Sequence, residues 1–330
     1  MPSADQLVDW FRTMIRIRRF EEALIDLATD HDLGHFHVYV GQETTGVPAL
    51  ALLEPGDVTY TTHRNHGHLL ARGVDPAAMM AEMLGKATGT NRGKGGTLHL
   101  ASAAHGFPTT SASVGGQLPI AVGSAFAFDQ LKSDRVSVCL FGDGALEEGA
   151  WHESANIAAL RSLPVVFLCE NNSPENVRHS SMLASSRLTN LARVFGIKSV
   201  ALDGTDVRAV HLAMRRAVRR ARDGDGPTFI EARTVRWPGS RPQWPELLTG
   251  ETDLAMAWDP STIPEHYGEW HRVQDGLLRF LRELLSDGVL TEERALSIDT
   301  AAREEMVAAV RFATDSPYPA PEEALDHVFA

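Results

Sequence analysis

The stretch "GDGALEEGAWHESANIAALRSLPVVFLCENN", residues 142–172, decides the fold of this chain. It follows one apolar run, "VSVCLF" (136–141), and contains a second, "PVVFLCE" (164–170), with a helix-length segment between them. Both runs are short, apolar on both faces and rich in β-branched residues, as is typical of strands buried in a parallel sheet. A strand, a crossover helix and a second strand make a βαβ unit. The sequence therefore predicts an α/β fold, a parallel sheet with helices on both faces.

Helices are predicted at both ends of the chain. Apolar side chains recur near a 3.6-residue period over residues 5–32, which predicts an amphipathic helix with "RRFEE" (18–22) on its polar side. Two further helical stretches begin near Glu269 and Thr291. "TFIEARTV" (228–235) predicts another strand, and the apolar pattern before it predicts a helix. These elements add helical N- and C-terminal extensions to the α/β fold.

Changes in composition along the chain suggest four segments. The middle segment is rich in His, Gly and Thr near predicted strand ends, where binding sites are usually built. A Pro- and Trp-rich stretch follows it. The predicted organisation is an N-terminal helix, an α/β domain, an irregular loop region and C-terminal helices, at residues 1–34, 35–238, 239–268 and 269–330.

Composition excludes several classes of partner. The 330 residues are 43% hydrophobic and carry a net charge of −12, which argues against nucleic acid or an anionic membrane as the main partner. The arginines within 215–222 fit the solvated face of a helix. Two cysteines, both in apolar runs, exclude a disulfide framework and predict core positions. With no signal-peptide pattern and no membrane-span pattern, we expect a cytoplasmic protein.

Polar side chains follow both strands of the predicted βαβ unit. Asp143 lies between two glycines after the first strand, and Asn172 ends the stretch after the second. Ligands of open α/β sheets bind beyond the carboxyl ends of the strands. Mg²⁺ prefers oxygen ligands and commonly takes one or two carboxylates together with phosphate oxygens. Turn chemistry alone also places Asp and Asn at such ends, but the combination of both after neighbouring strands predicts a magnesium and diphosphate site.

The spacing of GDG and NN resembles the thiamine diphosphate motif. The order of "RRFEE", "FHVYVGQE", "HRNHG", "NRGKGGTLHL", "SVGGQLP" and the C-terminal "GVLTEERALSIDTAAREEM" is similar to the α subunit of the thiamine-dependent first component of 2-oxo-acid dehydrogenase complexes. "RGKGGTLH" is closer to the pyruvate and acetoin type than to the branched-chain type. The resemblance covers most of the chain and implies the thiamine diphosphate-binding fold.

The resemblance implies a role for particular residues. Asp143 and Asn172 would bind Mg²⁺ through their side chains, and Pro174 through its carbonyl. His63 and Arg64 would hold the diphosphate, and the guanidinium suits that task as a fixed-charge fork. Further residues would line the cofactor or the substrate: Gly142, Gly144 and Ala145 beside the diphosphate, Ala112 and Val114 against the aminopyrimidine, and His37 near the substrate as a catalytic residue.

The resemblance also implies partners. In this family the glutamate that activates the aminopyrimidine lies on a β subunit, so we expect a heterotetramer of two α and two β chains. A lipoyl-bearing dihydrolipoyl acyltransferase is the expected acceptor of the acyl group. The expected function is oxidative decarboxylation of a 2-oxo acid.

Two departures from the family pattern leave an alternative open. Pro174 stands where the family has an aromatic residue, and Ser240 falls where the family has a loop histidine. Because that histidine supports acyl transfer in the family, the alternative is a two-subunit carboligase or decarboxylase that does not use a lipoyl arm. A silent binding subunit is a third hypothesis, against which Arg64, Asp143 and Asn172 argue.

Two other site types are less consistent with the sequence. "RGKGG" lacks the Gly and the Ser or Thr that a nucleotide P-loop needs, because Thr88 and Gly95 stand at those positions. The glycines are therefore expected to form a compact turn beside the cofactor. The histidines of residues 35–105 show no zinc-ligand spacing.

Overall fold

The computed structural model describes residues 2–172, 187–238 and 252–326. Its sheet has five parallel strands in the order β1-β2-β3-β5-β4. The strands are β1 (Val58–Tyr60), β2 (Ser137–Gly142), β3 (Val165–Asn171), β4 (Lys198–Asp203) and β5 (Thr228–Arg233). The predicted βαβ unit is thus a pair of neighbouring parallel strands, and the predicted α/β fold is confirmed.

Helices precede, connect and follow the strands. In the described part of the chain the α-helices are α1 (Ala4–Asp30), α2 (Glu43–Leu50), α3 (His66–Ala71), α4 (Pro76–Met83), α5 (Gln117–Gln130), α6 (Gly149–Leu160), α7 (Leu188–Arg193), α8 (Val207–Arg222), α9 (Gly276–Ser286) and α10 (Glu292–Asp315). Asp275 caps α9 and Thr291 caps α10 through their side chains, which explains where both begin. The stretch from Glu269 instead starts with a π-helical turn, Trp270–Gln274.

The sheet separates two hydrophobic cores. Alternate residues of each strand point to opposite faces, so Leu140 and Leu168 join a core with the terminal helices, while Phe141 and Phe167 join the other with α5 and α6. Cys139 and Cys169 lie in the second core, as predicted. Both faces of the sheet are therefore covered by helices. The segment boundaries at residues 34, 238 and 268 stay a prediction.

One prediction about α1 is wrong. "RRFEE" does not lie on a polar face, because Arg18, Arg19, Glu21 and Glu22 are all buried. Arg18 forms ion pairs with carboxylates on α2 and before α9, and Arg19 pairs with Glu22 and with a carboxylate of α10. Burial of a charge is tolerated only with such partners. The motif therefore ties α1 to other parts of the fold.

Two strands were missed in the sequence. Strand β1 is only three residues long, and β4 lies at the sheet edge with several exposed side chains, so neither shows the apolar run of a buried strand. The arginines of α8 are exposed or half-buried, which agrees with the predicted solvated face. Among the described residues, none of the helices has both the length and the apolar composition needed to cross a membrane.

Candidate active site at the carboxyl edge of the sheet

Four neighbouring strands end at the candidate site. Because all strands are parallel, their carboxyl ends lie at one edge of the sheet. The chain that leaves them carries the polar residues singled out above together with one arginine not predicted: His63 and Arg64 after β1, Asp143 after β2, Asn172 after β3 and Arg236 after β5. Strand order thus brings together residues that are far apart in sequence.

Asp143 begins a short 3₁₀ turn, Asp143–Glu147, directly after β2. It is buried, and Gly142 before it is in register with Glu170 of β3, two residues before Asn172. A Cβ added to Gly142 or Gly144 would meet no atom within 4 Å, and neither glycine has a positive φ. Neither crowding nor backbone strain requires glycine here, so the two positions leave open space beside the carboxylate. That space suits a ligand that approaches the backbone closely.

Asn172 is held by two other side chains. Its Nδ2 donates a hydrogen bond to Oε1 of Gln42 at 2.7 Å, and its Oδ1 accepts from Nη1 of Arg236 at 3.5 Å. Asn172 and Gln42 are both buried. The amide therefore has a defined orientation, with its oxygen on the side of Arg236.

Two guanidinium groups give this edge a positive charge. Arg64 is buried, and its Nη1 donates to the carbonyl of Val38 at 2.9 Å. Burial lowers the pKa of Arg64 to about 9, and Arg236 contributes as a nearby like charge. A positive charge that is costly to bury is stabilised by an anion. The pair is thus suited to binding a phosphate or diphosphate.

Three imidazole rings lie next to this charge. The rings of His35 and His37 have centroids 4.8 Å apart, and those of His37 and His63 are 4.4 Å apart. Burial first, and Arg64 second, lower the pKa of His37 to about 3 and that of His63 to about 4. Both are therefore neutral near pH 7. Nδ1 of His37 is buried and has no hydrogen-bond partner in the described part of the chain.

The loop with Ala112 and Val114 lies beside the end of β1. Thr110 forms an isolated parallel bridge with Thr61, and the Ser111 N–H donates to the Thr61 carbonyl at 3.0 Å. Ala112 is half-buried, whereas the Val114 side chain is 55% exposed. Val114 is thus an apolar side chain that this chain leaves largely uncovered near the site. Ala145, in the 3₁₀ turn after β2, is instead buried in a hydrophobic core.

The glycine-rich loop of "NRGKGG" wraps around a carboxylate of its own chain. Buried Glu82, on α4, accepts N–H bonds from Asn91 at 2.7 Å, Gly93 at 2.8 Å and Gly95 at 2.6 Å. The turn is compact, as expected. Its N–H groups are already satisfied, so it is not a phosphate loop.

A further buried carboxylate lies beneath the site and was not found in the sequence. Glu170, on β3, accepts a hydrogen bond from the Tyr39 hydroxyl and lies 3.3 Å from Nε2 of His68. Burial, followed by the charge of Glu170, raises the pKa of Tyr39. Glu170 lies two residues before Asn172. No spacing signal in the sequence identifies these three side chains.

Arg236 and Gln42 were also missed. Arg236 could have been found by the rule that identified Asn172, because it follows a predicted strand at residues 228–235. Gln42 lies in "VYVGQE", far from every strand end, and only the fold brings it to Asn172. Pro174 and Ser240 lie outside the described residues. Within the described ranges, no group of three His, Cys, Asp or Glu side chains could hold a metal.

Comparison with known proteins gives a consistent assignment. The family model for the dehydrogenase E1 component matches residues 12–322. The chain is 37% identical over 322 residues to the α subunit of acetoin:2,6-dichlorophenolindophenol oxidoreductase of Bacillus subtilis (strain 168), covering 97% of this chain and 92% of the relative. It is 36% identical over 330 residues to the subunit of the same name from Cupriavidus necator, covering 98% and 94%.

A third relative has a different name. The pyruvate dehydrogenase E1 component subunit α of Zymomonas mobilis is 33% identical over 329 residues, which is 98% of this chain and 88% of the relative. The matches extend over nearly the whole chain and include every strand that contributes to the candidate site. The chain belongs to the dehydrogenase E1 component family.

Proposed function

We propose that this chain is the α subunit of a thiamine diphosphate-dependent 2-oxo-acid dehydrogenase of the pyruvate or acetoin type. Membership of the E1 family implies thiamine diphosphate and a β subunit as working partner. The observation that carries the proposal for this site is the convergence of Arg64, Asp143, Asn172 and Arg236 at one edge of the sheet. An anion with a hard cation satisfies such a set of charges.

The donor set fits a diphosphate and Mg²⁺. Arg64 and Arg236 supply the positive charge for the diphosphate, and neutral His63 can donate a hydrogen bond beside them. Asp143 and Asn172 supply a carboxylate and an amide oxygen for Mg²⁺, and Pro174 would add a carbonyl. The space beyond Gly142 and Gly144 admits the ligand, with Ala145 in the turn below.

The aminopyrimidine end would lie against Ala112 and Val114. Val114 is the exposed apolar side chain beside β1, so a flat ring covering it would remove apolar surface from water. When bound, the cofactor supplies the nucleophilic carbon for decarboxylation. This chain orients it and leaves its activation to a glutamate of the β subunit.

His37 is proposed to contact the substrate. Its low pKa, about 3, keeps the ring neutral at pH 7, so it would donate or accept a hydrogen bond and would not act as an acid. The β subunit contributes part of the pocket that recognises the side chain of the substrate.

The assembly is proposed to be a heterotetramer of two α and two β chains that passes its acyl group to a lipoyl-bearing acyltransferase. Relatives named oxidoreductase and dehydrogenase favour this function over a carboligase. We also propose a cytoplasmic location, since both thiols are free and buried.

The experiment that tests the site is calorimetric titration of thiamine diphosphate and Mg²⁺ into the co-purified α and β chains. Asp143→Ala should keep the far-UV circular dichroism of the wild type and lose cofactor retention. Unchanged cofactor affinity in that variant would refute the assignment. Glu153→Gln, an exposed carboxylate on α6, is the control and should bind as the wild type does.

A further inference from the structure

Two buried amides meet beside the proposed metal site. Nδ2 of Asn172 donates to Oε1 of Gln42 at 2.7 Å, which is a short and well-formed hydrogen bond between side chains 130 positions apart. Gln42 is fully buried. This contact joins the start of α2 to the end of β3.

The orientation of this amide pair follows from Arg236. A guanidinium has only N–H donors, so the atom of Asn172 that faces Nη1 of Arg236 is the oxygen. The amide nitrogen of Asn172 then faces Gln42, and the atom of Gln42 that receives its proton is Oε1. If either amide were reversed, two N–H donor groups would face each other. The three side chains therefore permit one arrangement.

Among the described residues, the Gln42 side chain makes no other hydrogen bond. It is the first residue before α2, yet it makes no side-chain hydrogen bond that caps the helix. Its Nε2 is buried and has no hydrogen-bond partner in the described part of the chain. An unsatisfied buried donor costs free energy, so a glutamine kept only for packing would be better replaced by an apolar residue.

We propose that Gln42 is a positioning residue, which fixes the Asn172 amide so that its oxygen faces the carboxyl edge of the sheet as a ligand for the divalent cation. The inference rests on the proposed magnesium site. Side chains that orient a metal ligand typically change metal affinity by about 10- to 100-fold when they are removed. Gln42 would thus act on the metal through Asn172, without touching it.

The test measures binding of Mn²⁺, used as a paramagnetic probe for the Mg²⁺ site. Free Mn²⁺ is followed by electron paramagnetic resonance in the presence of thiamine diphosphate, with the full α chain co-purified with its β subunit. The variants are Gln42→Met, Asn172→Ala and the double variant. Gln42→Met keeps the side-chain length and removes the acceptor, while the backbone bonds of Gln42 to Tyr39, Thr45 and Gly46 are unaffected by the side chain.

The expected result is non-additive. Gln42→Met should weaken Mn²⁺ binding about tenfold, and it should weaken it no further in the Asn172→Ala background, because a residue that acts through Asn172 has nothing left to orient. Unchanged affinity in Gln42→Met, or an equal loss in both backgrounds, would overturn the inference. If Asn172→Ala itself binds Mn²⁺ as the wild type does, the proposed magnesium site fails, and this inference fails with it.

A second variant distinguishes loss of the contact with Asn172 from loss of folding. Gln42→Asn keeps a buried amide but shortens its reach by about one carbon–carbon bond, so the contact at 2.7 Å is lost. It should reproduce the loss of Mn²⁺ affinity while keeping the far-UV circular dichroism of the wild type, and wild-type affinity would overturn the inference. The matched control is Gln117→Met, which removes a buried amide that donates to Leu140 in the sheet and does not contact Asn172. It should leave Mn²⁺ affinity unchanged.

Discussion

Arg64 and Arg236 place two positive charges close together at the carboxyl edge of the sheet, and burial, followed by this proximity, lowers the pKa of Arg64 to about 9. The arrangement is unfavourable without a bound anion. Residues arranged for a ligand commonly reduce the stability of the unliganded protein.

Replacing Arg236 should lower the affinity for the cofactor without lowering the stability of the cofactor-free protein. We expect Arg236→Gln to raise the pKa of Arg64 and to leave the unfolding midpoint of the cofactor-free protein equal or higher, because a like charge is removed. Thiamine diphosphate affinity should fall about tenfold or more, the range for a lost hydrogen bond to a charged group. Calorimetry and thermal unfolding measure both quantities. Arg233→Gln, at the end of β5 with a side chain 59% exposed, is the control; a lower unfolding midpoint in Arg236→Gln alone would contradict the explanation.

The two histidines predict a pH dependence of stability. In the folded protein the pKa values of His37 and His63 are about 3 and about 4, below the ordinary value of 6.5. Above pH 6.5 both rings are neutral in either state. As the pH falls from 6.5 towards 4, the unfolded chain takes up protons and the folded chain does not, so the free energy of unfolding decreases.

Denaturant unfolding between pH 7 and pH 4.5 measures this dependence. His63→Gln should reduce the slope, because one of the two groups is removed. Equal slopes in the wild type and in His63→Gln would show that His63 does not have the low pKa.

Glu82 should be required for the stability of the glycine-rich loop. In Glu82→Gln, the amide NH₂ would replace one carboxylate oxygen and face a backbone N–H donor, that of Gly93 or that of Gly95 according to the orientation of the amide. We expect a loss of about 1.5–3 kcal/mol in the free energy of unfolding, the range for hydrogen bonds to a charged group. Urea titration measures it. Glu153→Gln should change the same quantity by no more than about 0.5 kcal/mol, and similar values for both variants would argue against the role of Glu82.

Replacing a buried arginine of α1 should reduce the free energy of unfolding much more than replacing an exposed one. Arg18→Ala leaves the carboxylates of Glu43 and Asp275 buried without their partner, which typically costs about 3–5 kcal/mol. Arg12→Ala removes an ion pair with Asp9 in which both side chains are about half exposed or more, which costs at most about 1 kcal/mol. Both are measured by chemical unfolding. A cost for Arg18→Ala as small as that for Arg12→Ala would contradict the buried network.

The sequence was informative where chemistry and periodicity coincide. Strand β2 ends just before Asp143 and β3 begins just after Pro164, and both are continuous apolar runs between turn residues. The sheet and the polar residues at the ends of these two strands could therefore be predicted. The same pattern failed for β4, because an exposed edge strand carries polar side chains. A three-residue strand such as β1 is too short to show any period.

The contacts around the site depended on tertiary structure. Arg18 and Glu21 have the composition of a solvated helix face, and only their partners on other helices show why they are buried. Gln42, at the start of α2, reaches Asn172, at the end of β3, across 130 positions of sequence that no local signal spans. Sequence patterns therefore do not reveal buried ion pairs, and they do not reveal buried amide side chains that belong to no recognised motif.

The bonds between Glu82 and the glycine-rich loop also have a consequence for competition. The N–H groups of the loop bind the Glu82 carboxylate, an anion of the same chain that is therefore held at an effective concentration of about millimolar or higher. Free sulfate, phosphate or nucleotide must displace a tethered carboxylate to enter, and so the loop keeps its shape whatever anions the solution contains. The conformation of the loop is in this way independent of the ionic composition of its surroundings.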